Sequence, residues 1–160
     1  MKKFALIIIS VICAIACAIG FAACGEKEMF VYEEVEGFGY VVRAANTDIE
    51  GDIIVPATYN GKTVYAIGGN AFKDCKKIDK VILPEGITSI WNYAFENCSV
   101  KTVTLPKSLK SIMDLAFPRN NSSIYRIDYM GTIAEWKKID GYTFISSYVH
   151  IVCTDGEWER

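Results

Sequence analysis

The chain has 160 residues, 17 basic and 19 acidic side chains, a single histidine and a net charge of −2. One histidine excludes any two-histidine metal site, and the acidic balance argues against nucleic acid, which needs a basic face. The chain begins "MKKFALIIISVICAIACAIGFAACGEKE", where Lys2 and Lys3 precede an uncharged run from Phe4 to Ala23 and charge resumes at Glu26. A basic start, an apolar run and small residues before a break have the form of a secretory signal. Twenty helical residues would span roughly 30 Å, so an uncleaved membrane anchor is the alternative.

Cys24 favours cleavage. It follows Phe21-Ala22-Ala23 and precedes Gly25, which resembles the lipobox of bacterial lipoproteins, with Phe21 where leucine is usual. Cys17 is the weaker choice, because apolar residues continue beyond it. The expectation is a signal peptide over 1–23 and lipidation at Cys24. The rest would then sit on the outer side of the cytoplasmic membrane, since Lys2 and Lys3 hold the N-terminus inside. Without those two lysines, 15 basic side chains face 19 acidic, a net of −4. That balance leaves the N-terminal anchor as the only expected membrane contact.

Residues 24–45 read as the lipidated cysteine, an acidic tether "EKEMFVYEEVEG" that becomes ordered as it goes, and a leading strand "FGYVVRAA". Residues 46–67 read as strands joined by a tight turn at Asn60-Gly61, a pair that tolerates positive φ. A repeat follows. Ile67, Ile90 and Ile112 are 23 and 22 residues apart, and Ala71, Ala94, Ala116 and Phe72, Phe95, Phe117 keep the same steps. Between the phenylalanines, Ile78, Val81, Leu83 and Pro84 answer to Val100, Val103, Leu105 and Pro106. A period near 22 belongs to solenoids, whose coils bury their apolar side only by stacking. "KVILP" and "TVTLP" are short strands ended by a proline that cannot donate to the ladder. Parity sends Val81, Leu83, Val103 and Leu105 inward and Lys80, Ile82, Thr102 and Thr104 outward.

The stretch "AIGGNAFKDCKKIDKVILPEGITSIWNYAFENC" is similar to the BspA-type leucine-rich-repeat family of bacterial surface and secreted proteins, over about residues 46–156. The resemblance implies a repeat solenoid, mainly β with short helical corners, in a right-handed leucine-rich-repeat-like coil. It also implies a non-catalytic module, without cofactor, that binds an extracellular protein or glycan. The third repeat departs from the pattern at Asn120, Tyr129 and Met130, as an end coil must in order to close the core. Thr132 and Glu135 have capping-box spacing, and Ile133, Trp136 and Ile139 share a helical face. Asp140-Gly141 ends that helix, "YVHIVC" forms the last strand of a helix-strand cap, and 157–160 is a tail.

Of six cysteines, Cys13, Cys17 and Cys24 belong to the N-terminal segment, leaving Cys75, Cys98 and Cys153. Cys75 and Cys98 occupy one repeat slot and read as buried thiols, with a bond between coils as the alternative. Nothing converges on catalysis. His150 and Cys153 lie three apart on a strand and face opposite sides, so only an extracellular hydrolase built on His150 alone stays open. Glu33, Glu34 and Glu36 form a solvated charge run. Gly68-Gly69 is a corner without a phosphate-loop lysine, and Asp48, Glu50 and Asp52 lack calcium-loop order. Trp91 and Tyr93 read as packing between coils. The remaining candidate is a surface. Lys80, Ile82, Thr102, Thr104, Arg126 and Asp128 form an outward ladder for binding, and self-assembly into an envelope scaffold through an exposed coil edge is the competing role.

Overall fold

The computed structural model describes residues 28–117 and 123–159. The signal-like segment 1–23, Cys24, Cys13, Cys17 and Asn120 lie outside the described residues. The chain winds into a β-solenoid in which each coil gives one strand to each of two sheets. A hairpin of β1 (Phe30–Val35) and β2 (Gly39–Ala44) leads into β3 (Glu50–Ile54). A second hairpin, β4 (Thr58–Tyr59) and β5 (Lys62–Ile67), turns at Asn60 and Gly61 with φ of 47° and 74°. Both angles are the left-handed values that a two-residue hairpin turn requires. The chain continues through β6 (Lys77–Ile82), β7 (Ser89–Ile90), β8 (Thr102–Leu105), β9 (Ser111–Ile112) and β10 (Arg126–Tyr129). Helix α1 (Ile133–Trp136), a 3₁₀ turn (Tyr142–Phe144), β11 (His150–Cys153) and β12 (Gly156–Trp158) close the order.

The first sheet runs β1-β2-β5-β7-β9, with β4 also on β5, and the second runs β12-β11-β10-β8-β6-β3. All stacked strands are parallel; only β1 on β2, β4 on β5 and β12 on β11 reverse. The pairing follows the sequence period: Ile67 faces Ile90 and Ile90 faces Ile112, while Val81 faces Val103 and Val103 faces Ile127.

The shared interior holds one apolar cluster, to which every coil contributes isoleucine, valine or leucine from both sheets. Phe72, Phe95 and Phe117 stack through it, with ring centroids 5.3 Å and 4.9 Å apart and near-parallel planes. Ala71, Ala94 and Ala116 let the corners close. The Phe72 N–H donates to Ala94 O at 2.7 Å and the Phe95 N–H to Ala116 O at 3.0 Å, a third ladder between coils. The corners are hydrogen-bonded turns, and among the described residues helix is confined to α1 and one 3₁₀ turn. No helix among the described residues is long and apolar enough to cross a membrane.

Two boundaries differ from the reading of the sequence. The stretch read as acidic tether contains β1, paired along its whole length with β2. Its Tyr32 ring stacks on Tyr59 at 3.9 Å and meets the edge of Tyr40. Its charges find partners: Glu33 binds Arg43 at 2.8 Å, and Glu34 accepts from Tyr40 Oη and Lys62 Nζ. The tail read at 157–160 contains part of β12, where Trp158 packs on Trp136 and Tyr142 with centroids 6.3 Å and 5.7 Å away. In both places aromatic contacts hold a strand that charged neighbours disguise.

At the C-terminal end the capping box forms. Thr132 Oγ1 accepts from the Glu135 N–H, and Glu135 Oε2 accepts from the Thr132 N–H at 2.9 Å. Trp136 is fully buried below it. Asp140 then pairs with Ser111 and β11 with β10, so the cap fills both sheet positions of one further coil.

Candidate functional site

The outward side chains of the second sheet form two rows fixed by strand register. In one row Asp52 pairs with Lys80, Lys80 with Thr102, Thr102 with Arg126 and Arg126 with His150. In the other, Ile54 pairs with Ile82, Ile82 with Thr104, Thr104 with Asp128 and Asp128 with Val152. All six residues named from the sequence therefore fall on one face, and Asp52, Ile54, His150 and Val152 extend it. Strands about 4.8 Å apart make each row roughly 20 Å long.

The inward neighbours anchor this face on the core. Val81, Val103, Ile127 and Ile151 are buried, and the strand ends at Leu83 and Leu105 enter the core before their prolines. The added positions carried a signal. "DIIVP" at 52–56 repeats "KVILP", and the Val55 N–H donates to Ile82 O as the Leu83 N–H does to Thr104 O. The spacing hides it, because the β4–β5 hairpin lengthens this coil and a register shift falls between Gly51 and Asp52.

The face mixes charge with apolar surface. Arg126 Nε donates to Asp128 Oδ1 at 2.6 Å, and Ile54 is 62% exposed. Along its border, Lys101 binds Asp79 at 2.9 Å and Lys77 binds Asp48 at 3.4 Å, each pair joining neighbouring coils. Such exposed pairs are screened by solvent and add little to stability. They fix the partners' positions more than they hold the fold.

Residues weighed for catalysis are apart. His150 is exposed on the outward row, while Cys153 on the same strand is buried. Cys75, Cys98 and Cys153 are free and buried. Burial, then the neighbouring Cys98 and Asp74, push the Cys75 thiol up to about 11, and burial raises Cys98 and Cys153 as well. A thiol needs the opposite shift to act as a nucleophile. Glu33 and Glu34 are engaged in ion pairs, Gly68 and Gly69 lie at a corner, and Asp48, Glu50 and Asp52 are exposed. Among the described residues no group of three His, Cys, Asp or Glu side chains could hold a metal. Trp91 is half-buried and Tyr93 exposed.

Stacked parallel coils with a Phe ladder, a Leu-Pro strand end and a capped last coil define a leucine-rich-repeat solenoid. Residues 55–153 match the BspA type leucine rich repeat region in six copies, and the chain belongs to that family. Among solved structures, it is similar to a leucine rich repeat protein of T. pallidum, at 19% identity and a TM-score of 0.56, over 81% of this chain and 64% of that one. It also aligns with a leucine rich cell surface protein of Faecalibacterium prausnitzii A2-165, at 20% identity and a TM-score of 0.46, over 75% of this chain and 42% of that one. A leucine-rich repeat protein of Bacteroides ovatus ATCC 8483 aligns at 20% identity and a TM-score of 0.40, over 81% of this chain and 37% of that one. The chain thus spans less than two thirds of the length of each of these proteins. No curated protein matches it.

Proposed function

We propose that the chain is a non-catalytic interaction module on the cell surface, held to the membrane by a lipid on Cys24, whose second sheet binds an extracellular protein or glycan. The observation that carries this reading is the pair of outward rows in register, Asp52-Lys80-Thr102-Arg126-His150 and Ile54-Ile82-Thr104-Asp128-Val152. Ten side chains on a rigid lattice are preorganised, so a partner pays little ordering cost on their account. Thr102 and Thr104 occupy the centre of the face, where truncation or obstruction has the largest effect on binding.

The test is a screen of the chain against extracellular-matrix proteins and a glycan array, repeated with Thr102→Lys and Thr104→Lys. Both substitutions stay on the outward face and should leave the thermal transition unchanged. The expected result is a ligand whose affinity falls about tenfold or more in each variant. A ligand bound equally well by wild type and both variants would remove the face from the reading. The anchor has its own check: labelling with a palmitate analogue should disappear in Cys24→Ala.

A further inference from the structure

A second surface lies at the corner of the coils, away from the face just described. Trp91 and Met113 occupy one repeat slot, and Tyr93 and Leu115 the next but one, each pair 22 residues apart. The two coils are bonded at this point, the Tyr93 N–H donating to Leu115 O at 3.1 Å. In the cap, Phe144 continues the patch. A Cβ built on Gly141 would lie 1.9 Å from Ile112 O and 3.0 Å from Phe144 Cδ2, which sets that ring beside the Ile112–Met113 backbone. Tyr93, Met113, Leu115 and Phe144 are 39%, 40%, 40% and 45% exposed. Four large apolar side chains therefore meet solvent over three successive coils.

The backbone makes this costly. Tyr93 and Leu115 hold φ of 61° and 58°, where the preceding coil places Asn70 at 58°. Left-handed backbone costs a bulky residue about 1–2 kcal/mol, and asparagine adopts it far more readily. Two consecutive coils thus keep strained, solvent-facing apolar residues in a slot that a polar one fills at less cost. Strain retained in this way is a mark of a functional position.

Between the two apolar columns runs a polar one. Asn92 Nδ2 donates to the Asp114 carbonyl at 2.9 Å, and the Asp114 side chain is exposed without an ion pair among the described residues. Lys73, on the same flank of the solenoid, is held by Glu96 at 2.6 Å. We propose that this corner docks a segment of a partner protein that carries an arginine or lysine among apolar side chains. The cation meets Asp114, its aliphatic stem lies on Met113 and Leu115, and Tyr93 offers a ring face to the charge. A second copy of the chain fits poorly. The patch presents a few hundred Å², below the roughly 800 Å² per partner of a stable dimer.

The experiment is selection of a random peptide library on the immobilised full chain in detergent, followed by affinity measurement on four proteins. These are the wild type, Asp114→Lys, Leu115→Asn and Thr104→Lys. Enriched peptides should carry a basic residue beside leucine, phenylalanine or tryptophan. Their affinity should fall about tenfold or more in Asp114→Lys and Leu115→Asn and hold in Thr104→Lys. Leu115→Asn matches the residue and backbone of Asn70, so its melting temperature should hold or rise, and lost binding there is not lost folding. The proposal fails if no basic-apolar class is enriched or if Asp114→Lys binds the peptides unchanged. It also fails if the corner mediates a dimer in sedimentation equilibrium that Asp114→Lys dissolves, or a glycan contact that Leu115→Asn abolishes. The face on the second sheet stands or falls separately, through Thr104→Lys.

Discussion

At Gly141 the backbone takes φ of 79°, and a Cβ there would sit 1.9 Å from the Ile112 carbonyl oxygen. Gly61 has a similar φ of 74° but open space around it. Gly141→Ala must therefore displace the Asp140–Ile112 bond that seats the cap, and should cost about 1–3 kcal/mol. Gly61→Ala should cost only the conformational part, about 1 kcal/mol, and thermal melts of the two variants compare the costs directly. The thiols give a second expectation at this scale. Cys98 Sγ lies 3.1 Å from Phe95 O, inside the core, and burial holds all three thiols protonated. Iodoacetamide near pH 7.5 should leave Cys75, Cys98 and Cys153 unmodified in the folded chain and label all three in denaturant, as read by peptide mass spectrometry. Modification of Cys75 in the native state would mean that its corner opens.

Among the elements, α1 owes its position to its first turn. The Thr132 backbone N–H, then Lys107, hold the Glu135 carboxyl at about 2, from an ordinary 4.5. A carboxyl lowered by folding contributes its stabilisation fully above its unfolded pKa and loses it as the pH falls through the folded one. The melting-temperature difference between wild type and Glu135→Gln should therefore be full above pH 4.5 and vanish toward pH 2. A difference that persists at pH 2 would assign the effect to packing. This cap was legible in the sequence, because Thr132-x-x-Glu135 is a local signal with a local cause. The Phe and Leu-Pro slots were legible for a related reason, since stacking turns a sequence period directly into contacts. β1 was legible only as a tether gaining order, because its pairing with β2 is masked by Glu33 and Glu34, whose partners Arg43 and Lys62 are distant in sequence. The ends of the outward rows at Asp52 and His150 were missed because hairpin β4–β5 and the cap break the 22-residue step. At the corner, Trp91 and Tyr93 read as packing residues, since no sequence pattern reports a positive φ on a tyrosine.

For the molecule as a whole, Phe95 is the middle ring of three and belongs to the coil with neighbours on both sides. Phe95→Ala removes contacts to both at once and should cost on the order of 3–5 kcal/mol, a large share of the roughly 5–15 kcal/mol that holds a domain together. The measurement is a denaturant titration, where a loss of unfolding free energy below about 1 kcal/mol would mean that the coils do not share one interior. Coil stacking has a further result. In the middle coils, the strand pairs β5–β7, β7–β9 and β6–β8 repeat at an offset of 22 or 23 residues, while β1 and β12 close opposite ends without entering that pattern. Duplicating the segment from Phe72 to Ala94 in the gene would give the newcomer two neighbours already shaped to receive it. The protein would grow by one strand spacing, about 4.8 Å, and gain one residue in each outward column. The length of the face is thus inherited in whole-coil increments, whereas its chemistry changes by single codons at two outward positions per coil.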